Sequence, residues 1–227
     1  MSRLAVIAAL PQELECLNSM RRPTDAVAIR SGIGPERATA TAEAAIEADA
    51  GALLSFGFAG GLAGYLPGSV IVPEQVLWND DSFATDVAWC TAVRCALAGL
   101  GVSAGKLLTV EAPVTTPREK ANLGQQTGAV AVDMESGAIA ETARTADIPF
   151  IAIRVVCDAV TDRLPRPALL ATKPDGRVSL TRLAVALLQQ PGETNALLRL
   201  GRSARKARAT LRQIDAIIGP GFARPQP

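Results

Sequence analysis

Histidine is missing from this sequence. None of the 227 residues is a histidine, which excludes Ser-His-Asp and Cys-His catalysis and most zinc sites. Acid–base chemistry in this chain would therefore fall to carboxylates. We expect no bound metal ion and no organic cofactor.

Other common signals are also absent. The four cysteines form no C-x-x-C pair, which predicts free thiols in a reducing compartment. Lysine and arginine total 23 against 22 acidic residues, and this balance gives no chain-wide electrostatic reason to bind nucleic acid. The N-terminal apolar run is broken by Pro11 and Glu13, so it is too short for a signal peptide or a membrane span. These absences predict a soluble cytoplasmic protein.

The apolar runs that are present are short, and most lack polar alternation. They predict strands at 4–9, 27–30, 51–58, 69–72, 106–110, 129–134 and 149–156. Helical patterns lie between and after them, at 35–49, 85–100, 135–146, 178–190 and 194–218. Strands buried on both faces and separated by helices indicate a three-layer α/β fold, with a central mixed, mostly parallel sheet flanked by helices. We expect a single domain over 1–227, with a disordered tail at 219–227.

Three acidic residues follow predicted strands. Glu13 comes after the first strand, Glu135 follows "AVAVDM", and Asp158 ends "IAIRVVCD". If these strands are parallel, their carboxyl ends share one edge of the sheet, where ligands of such folds bind. Each residue alone has a structural explanation, because Glu13 and Glu135 could be first-turn helix acids and Asp158 an N-cap. Their repetition at strand ends favours a shared functional site.

Two glycine-rich segments also follow strands. They are "SGIGPERA" at 31–38 and "GFAGGLAG" at 57–64, and glycine at such places lets backbone amides approach a ligand closely. The first segment is not a complete dinucleotide fingerprint, because Arg37 occupies the third glycine position. A P-loop is absent as well. An enzyme that depends on a dinucleotide cofactor is therefore disfavoured.

The predicted helix at 194–218 has one apolar stripe and many basic positions. The apolar residues recur at helical spacing, at Leu197, Leu200, Ala204, Ala207, Leu211, Ile214 and Ile218. The basic residues are Arg199, Arg202, Arg205, Lys206, Arg208 and Arg212. An amphipathic surface helix explains this pattern best, and a face that docks on anionic lipid is the alternative.

Five segments together resemble a known family. They are "AALPQEL", "SGIGPERA", "FGFAGGL", "AVDMES" and "IRVVCDAV". Their order and spacing are similar to those of the nucleoside phosphorylase/nucleosidase family, which includes purine nucleoside phosphorylases and methylthioadenosine/S-adenosylhomocysteine nucleosidases. The similarity runs from residue 4 to about residue 165. The stretch "TVEAPVTTPREKANL" and the "DRLP" after Asp158 look like the hopanoid-associated branch, which is linked to removal of adenine from adenosylhopane.

The resemblance implies an enzyme that cleaves the N-glycosidic bond of an adenosine-like nucleoside. It makes Asp158 the acid that protonates N7 of the departing purine, and Glu13 the base that activates water. Glu135 would hold the ribose hydroxyls while Met134 packs against the sugar. The neighbouring Asp133 points elsewhere and is expected to be structural. The resemblance also assigns substrate binding to the glycine-rich loop, at Phe58, Ala59 and Gly60.

The sequence departs from the family pattern at three places. Cys157 stands where the nucleosidases have a serine beside the acid, so a hydrogen bond to Asp158 is expected to be weak or missing. Phe58 replaces a loop serine, and Ser55 stands where the phosphorylases have a phosphate-binding arginine. Both side-chain donors for phosphate are thus lost, which favours water as the acceptor. A phosphate-dependent purine nucleoside phosphorylase stays the alternative, with compensation by Arg30, Arg37 or Arg154.

Several expectations about partners follow. The family forms dimers or hexamers, so the resemblance implies a homodimer or a larger homo-oligomer. A lipid nucleoside as substrate would make the basic C-terminal helix a candidate for peripheral membrane contact. The proline- and charge-rich segment 159–177 is the natural place for a mobile flap over the ligand. A non-catalytic nucleoside-binding protein of the same fold is the second alternative.

Overall fold

A computed structural model describes residues 3–21, 25–173, 175–177 and 179–225 of the chain. It is an α/β fold in which helices flank a central mixed sheet, and this confirms the predicted class. Parts of three predicted segments lie outside the described residues. They are position 174 of the proposed flap, position 178 of the predicted helix 178–190 and positions 226–227 of the predicted tail.

Nine strands form one sheet in the described part of the chain. They are β1 (Arg3–Ala8), β2 (Ala26–Arg30), β3 (Ala50–Gly61), β4 (Val70–Ile71), β5 (Gln75–Trp78), β6 (Asp81–Ala84), β7 (Lys106–Thr109), β8 (Ala129–Asp133) and β9 (Phe150–Asp158). Each of the predicted strands has a counterpart among them. The antiparallel pair β5 and β6 is an addition that the sequence analysis missed.

Eight α-helices are present among the described residues. They are α1 (Pro11–Leu14), α2 (Pro35–Glu47), α3 (Val87–Ala96), α4 (Pro117–Thr127), α5 (Ser136–Thr145), α6 (Arg166–Ala171), α7 (Leu180–Gln189) and α8 (Thr194–Ile218). All of the predicted helices are found. The sequence analysis did not predict α1, α4 or α6, and all three helices contribute to the site described below.

Strand β3 organises the sheet because it pairs with three other strands. It runs parallel to β1 and β9, and its last two residues, Gly60 and Gly61, pair antiparallel with β8. The premise that all three acid-bearing strands are parallel is therefore wrong for β8. Glu135 still reaches the same region, because the carboxyl end of β8 runs back beside β3 from Gly60 towards Phe58.

Two apolar clusters cover the two faces of the sheet. Successive residues of β1 alternate between them, with Ala5 and Ile7 in the cluster beneath α2 and α5, and Leu4 and Val6 in the cluster beneath α3 and α8. Strands whose alternate side chains are buried on opposite faces produce the continuous apolar runs seen in the sequence. The core therefore holds the strand ends, and the side chains beyond them, in fixed positions.

The C-terminal segment after α8 is packed where it is described, so the predicted disorder is corrected there. Phe222 is fully buried, and its ring meets the Phe56 ring edge to face at a centroid distance of 5.6 Å. The Phe222 carbonyl accepts a hydrogen bond from Trp89 Nε1 at 2.7 Å. The glycine and proline content of the tail suggested disorder, but one aromatic side chain supplies enough apolar surface to anchor it.

Helix α8 is an amphipathic surface helix along its C-terminal half. Ala207, Leu211 and Ile214 are buried against the sheet, and Arg208 pairs with Glu15 at 2.8 Å. Arg199, Arg202, Arg205, Lys206 and Arg212 are exposed. Within the described residues, no helix combines the length and the apolar character that crossing a bilayer requires.

Candidate active site

One cavity of about 300 Å³ collects every site residue that the sequence analysis proposed. Its lining includes Glu13, Phe58, Ala59, Gly60, Met134, Glu135 and Asp158. Its volume is at the lower end of the usual range for small-molecule sites, about 300 to 1,000 Å³. Side chains from distant parts of the chain thus meet at one place that can hold a small ligand.

Most of the remaining cavity wall is apolar. The apolar side chains come from the loops after β1, β2 and β7 and from the segment around α6 and α8, and include Leu10, Ile33, Val110, Val114, Leu164, Leu169 and Leu200. The proposed flap segment 159–177 therefore does border the cavity, through Leu164, Ala168, Leu169 and Thr172. Its mobility stays a prediction.

Glu13 is held by backbone amides on both of its carboxylate oxygens. Oε2 accepts a hydrogen bond from the Leu10 amide at 2.7 Å, and Oε1 accepts one from the Phe58 amide at 2.7 Å. The structural explanation is therefore correct as well, because Glu13 caps the first turn of α1. Burial raises the pKa of Glu13, while the Arg154 charge and the backbone amides act in the opposite direction. Each oxygen retains a lone pair for a further donor.

Position 57 of β3, beside the Glu13 carboxylate, requires glycine. A methyl side chain at Gly57 would come within 2.6 Å of both Glu13 Cδ and Arg154 Nη1. Such distances are not found for real Cβ atoms, so any larger residue would displace one of the two charged groups. The glycine-rich loop thus brings the backbone close to Glu13.

Glu135 lies at the first turn of α5 but does not cap that helix. Its Oε1 accepts a hydrogen bond from the Gly34 amide at 3.0 Å, so the first glycine-rich segment reaches the site here. Burial raises the pKa of Glu135 to about 8, with a further contribution from the negative charge of Asp133. Two buried carboxylic acids, Glu13 and Glu135, therefore face one cavity.

Asp133 belongs to a buried polar network beneath the cavity. Its Oδ2 lies 2.7 Å from Arg154 Nη2, and its Oδ1 accepts a hydrogen bond from Thr109 Oγ1 at 2.7 Å. Arg154 Nη2 also donates to Ser55 Oγ at 2.6 Å and to Ser136 Oγ at 2.9 Å. Asp133 also lines the cavity, so the expectation that it points elsewhere is wrong, although its carboxylate is engaged in this network. Arg154 and Ser55 are engaged with this network, and Arg30 and Arg37 are absent from the cavity lining.

Asp158 reaches the cavity by way of an irregularity in β9. Ala59 pairs with Val156 and Gly60 with Asp158, so Cys157 is an extra residue in the strand. Such a bulge re-aims the side chain that follows it. The Cys157 thiol donates to Asp158 Oδ1 at 3.1 Å, so of the two expected outcomes the hydrogen bond is present, with a thiol, a weak donor, in place of the serine hydroxyl. Asp158 does not cap a helix.

Lys120 is a site residue that the sequence analysis missed. It lies on α4, is fully buried, and its ammonium forms an ion pair with Asp158 Oδ2. The "TPRE" motif before it is a capping-box signal for a helix start, with Thr116 and Glu119 as the reciprocal pair. That signal could have revealed α4, although it does not reveal where the lysine points.

The described residues include no group of three or more cysteine, aspartate or glutamate side chains arranged to hold a metal ion. The chemistry that these residues support is proton transfer. Buried carboxyl groups in an apolar cavity can hold or accept protons near neutral pH, because burial disfavours their charged forms.

Comparisons with known proteins agree with this arrangement. A family model described as the phosphorylase superfamily matches residues 23–189. The 5′-methylthioadenosine/S-adenosylhomocysteine nucleosidase of Shewanella sediminis is 31% identical to this chain over 164 residues, which are 62% of this chain and 71% of the relative.

Two solved structures show the same fold. The 5′-methylthioadenosine/S-adenosylhomocysteine nucleosidase of Neisseria meningitidis, in complex with methylthio-immucillin-A, aligns with a TM-score of 0.72 at 22% identity, over 96% of this chain and 98% of that chain. Futalosine hydrolase of Helicobacter pylori aligns with a TM-score of 0.67 at 14% identity, over 95% of this chain and 97% of that chain.

Proposed function

This chain belongs to the phosphorylase superfamily, and from that premise we propose that it hydrolyses the N-glycosidic bond of an adenosine-like nucleoside and releases the purine. The observation that carries the proposal is the meeting of Glu13, Glu135 and Asp158 in one cavity. The nucleosidase that is 31% identical to this chain supports the same reaction class.

Each carboxyl group has a role that the chemistry requires. Cleavage leaves positive charge on the ribosyl carbon and negative charge on the base, so an acid must protonate the purine as it leaves. We assign this step to Asp158, acting at N7. Glu13 takes a proton from the attacking water, and because burial raises its pKa its carboxylate is a stronger base than that of an exposed glutamate. Glu135 accepts hydrogen bonds from the ribose hydroxyls.

The loop and strand around these acids complete the proposed substrate site. Met134 packs against the sugar, and the backbone at Phe58, Ala59 and Gly60 borders the ligand. The Phe58 amide also holds Glu13 in place. These contacts would orient the nucleoside between the acid and the base.

Water suits the site better than phosphate. Glu13 and Glu135 are both buried at the cavity, and the nearby Arg154 is already paired with Asp133 at 2.7 Å. Glu13 must be ionised to act as the base, and in that form it would repel a phosphate dianion brought next to it, strongly so where water is excluded. The Ser55 hydroxyl, which a phosphate could have used, is bonded to Arg154.

The test is release of adenine from 5′-methylthioadenosine, measured by chromatography with and without phosphate. We expect release without phosphate, and a loss of at least about 100-fold in kcat for Glu13→Ala and Asp158→Asn. Glu36→Gln, a change at an exposed position of α2, serves as the control and should keep full activity. Release that requires phosphate would make the protein a phosphorylase, and binding without release would make it a non-catalytic nucleoside-binding protein.

Within this activity we propose a nucleoside with an apolar 5′ substituent. The support is the apolar wall formed by side chains such as Leu10, Ile33 and Val114. Adenosylhopane, which the resemblance implies, would be such a substrate. Because it is a lipid, its use would also imply that the basic face of α8 contacts the membrane. The homo-oligomer stays a prediction.

Turnover of a graded substrate series tests the apolar substituent. Each buried methylene contributes about 0.8 kcal/mol, or roughly fourfold. We therefore expect kcat/KM to rise from adenosine to 5′-methylthioadenosine and to longer 5′-alkylthio analogues. Equal values across the series, or a preference for adenosine itself, would contradict the proposal.

A further inference from the structure

Asp158 is held from two sides by residues that the proposed reaction does not use directly. The Lys120 ammonium donates to Oδ2, and the Cys157 thiol donates to Oδ1 at 3.1 Å. Cys157 borders the cavity, whereas Lys120 is absent from its lining. Oδ2 is therefore paired with a full positive charge, whereas Oδ1 is held only by a thiol, which is a weak donor.

The Lys120 ammonium has a complete set of acceptors. Besides Asp158 it donates to the carbonyl oxygens of Ala159 and Asp162, each at 2.9 Å, and an ammonium carries three N–H groups. The Asp162 carboxylate in turn accepts from the Ala159 amide at 2.8 Å. The turn after β9 is therefore folded around the charge of Lys120.

Stability alone does not explain a fully buried lysine. A buried ion pair is often no better for stability than well-packed apolar residues, because both charges must be removed from water. The ammonium here faces Asp158, the carboxyl group to which we assign protonation of the purine. Its charge has a chemical use at that place, since it stabilises Asp158 in the ionised form.

Resting on the proposed hydrolysis, we infer that Lys120 is a positioning residue that confines the transferable proton to Oδ1 of Asp158 and stabilises the carboxylate left when that proton leaves. In the step itself, the C1′–N9 bond breaks with its electron pair staying on the base, while the water that Glu13 deprotonates forms the new bond to C1′. The proton on Oδ1 passes to N7 of the purine, and the ionised Asp158 remains paired with the Lys120 ammonium.

The pH profile of kcat separates this role from a merely structural one. In Lys120→Met the acid loses its stabilising cation, so we expect kcat to fall by about 100-fold with little change in KM. The alkaline side of the profile, where the acid has lost its proton, should move to higher pH, because the ammonium that favours the ionised form is gone. Lys120→Arg keeps the charge and should keep the alkaline side in place.

Two further variants guard against failed folding. Lys120→Gln is neutral but still offers N–H groups to the carbonyls of Ala159 and Asp162, so it should show the same shift as Lys120→Met. Arg118→Met changes an exposed residue on the same helix and should behave like the unmodified protein.

A double-mutant comparison tests whether Lys120 acts through Asp158. Added to Asp158→Asn, Lys120→Met should cause almost no further loss of kcat. Unchanged kcat in the single variants, a loss without a shift of the alkaline side, or an equal further loss in the Asp158→Asn background would each overturn the inference. If the unmodified protein releases no adenine, the proposed function fails instead, and the two failures are thereby distinguished.

Discussion

Neighbouring carboxyl groups in "AVDMES" have opposite surroundings. Asp133 faces the Arg154 guanidinium at 2.7 Å, whereas Glu135 is buried at the cavity, where its Oε1 accepts a hydrogen bond from the Gly34 amide. The side chains diverge because Asp133 ends β8 and Glu135 begins the turn into α5. One residue therefore anchors the network, and the other is available for a ligand.

The burial of Glu135 makes stability depend on pH. Its pKa is about 8 in the folded protein and near 4.5 when exposed. Between these values the folded state retains a proton that the unfolded chain has released. The free energy of unfolding therefore falls as pH rises from about 4.5 to about 8, by an amount on the order of a few kcal/mol. The raised pKa of Glu13 contributes in the same direction.

Glu135→Gln tests this linkage, because glutamine resembles the protonated carboxyl group and does not titrate. We expect urea unfolding at about pH 5 and about pH 9 to show a smaller loss of stability in Glu135→Gln than in the unmodified protein. Glu36→Gln, at an exposed position, should leave the loss unchanged. An identical pH dependence in Glu135→Gln would show that Glu135 does not titrate as its burial implies.

The burial of Lys120 could not be inferred from its sequence neighbourhood. In the sequence it stands in the polar stretch "TPREKANLGQQT", where a lysine ordinarily faces solvent. Its burial results from contacts with the turn after β9, nearly forty positions further along the chain. No local pattern encodes such a contact. The three carboxylates could be proposed because they follow strands, but their cationic partner could not.

At the scale of elements, apolar runs were the reliable signal. The strands and helices with continuous or periodic apolar residues were all predicted, whereas α1, α4, α6 and the pair β5 and β6 were not. Helix α4 has a polar composition and buries few side chains, of which Lys120 is one. Its start was marked by the Thr116–Glu119 capping box rather than by periodicity, so a search for caps would have found it.

The direction of β8 could not be predicted from its composition. Its two pairings differ, since it is parallel to β7 and antiparallel to the end of β3. Either arrangement buries both faces of "AVAVD", so the apolar pattern is the same. The prediction that Glu135 reaches the site was correct in its result although its premise of parallel strands was wrong for this element.

At the scale of the whole molecule, the C-terminal segment packs against the core of the same chain. After α8 ends at Ile218, the backbone turns at Gly219 with a φ of 71°, a conformation that glycine adopts easily. Phe222 then enters the cluster formed by β3, α3 and α8. The glycine and proline content predicted disorder here, because composition averages over residues and does not detect a single buried aromatic side chain.

Phe222→Ala tests whether this anchor stabilises the fold. The ring is fully buried, in edge-to-face contact with Phe56, and removing such a ring typically costs about 3 to 5 kcal/mol through lost burial and the cavity left behind. The matched control is Ile217→Ala, whose side chain is 51% exposed and whose loss should change stability by less than about 0.5 kcal/mol. Urea unfolding measures both variants.

Because the free energy of unfolding of a whole domain is only about 5 to 15 kcal/mol, Phe222→Ala should lower the midpoint clearly while adenine release by the folded fraction stays normal. Equal midpoints for the two variants would mean that the tail is not part of the core and that the prediction of disorder from composition was correct.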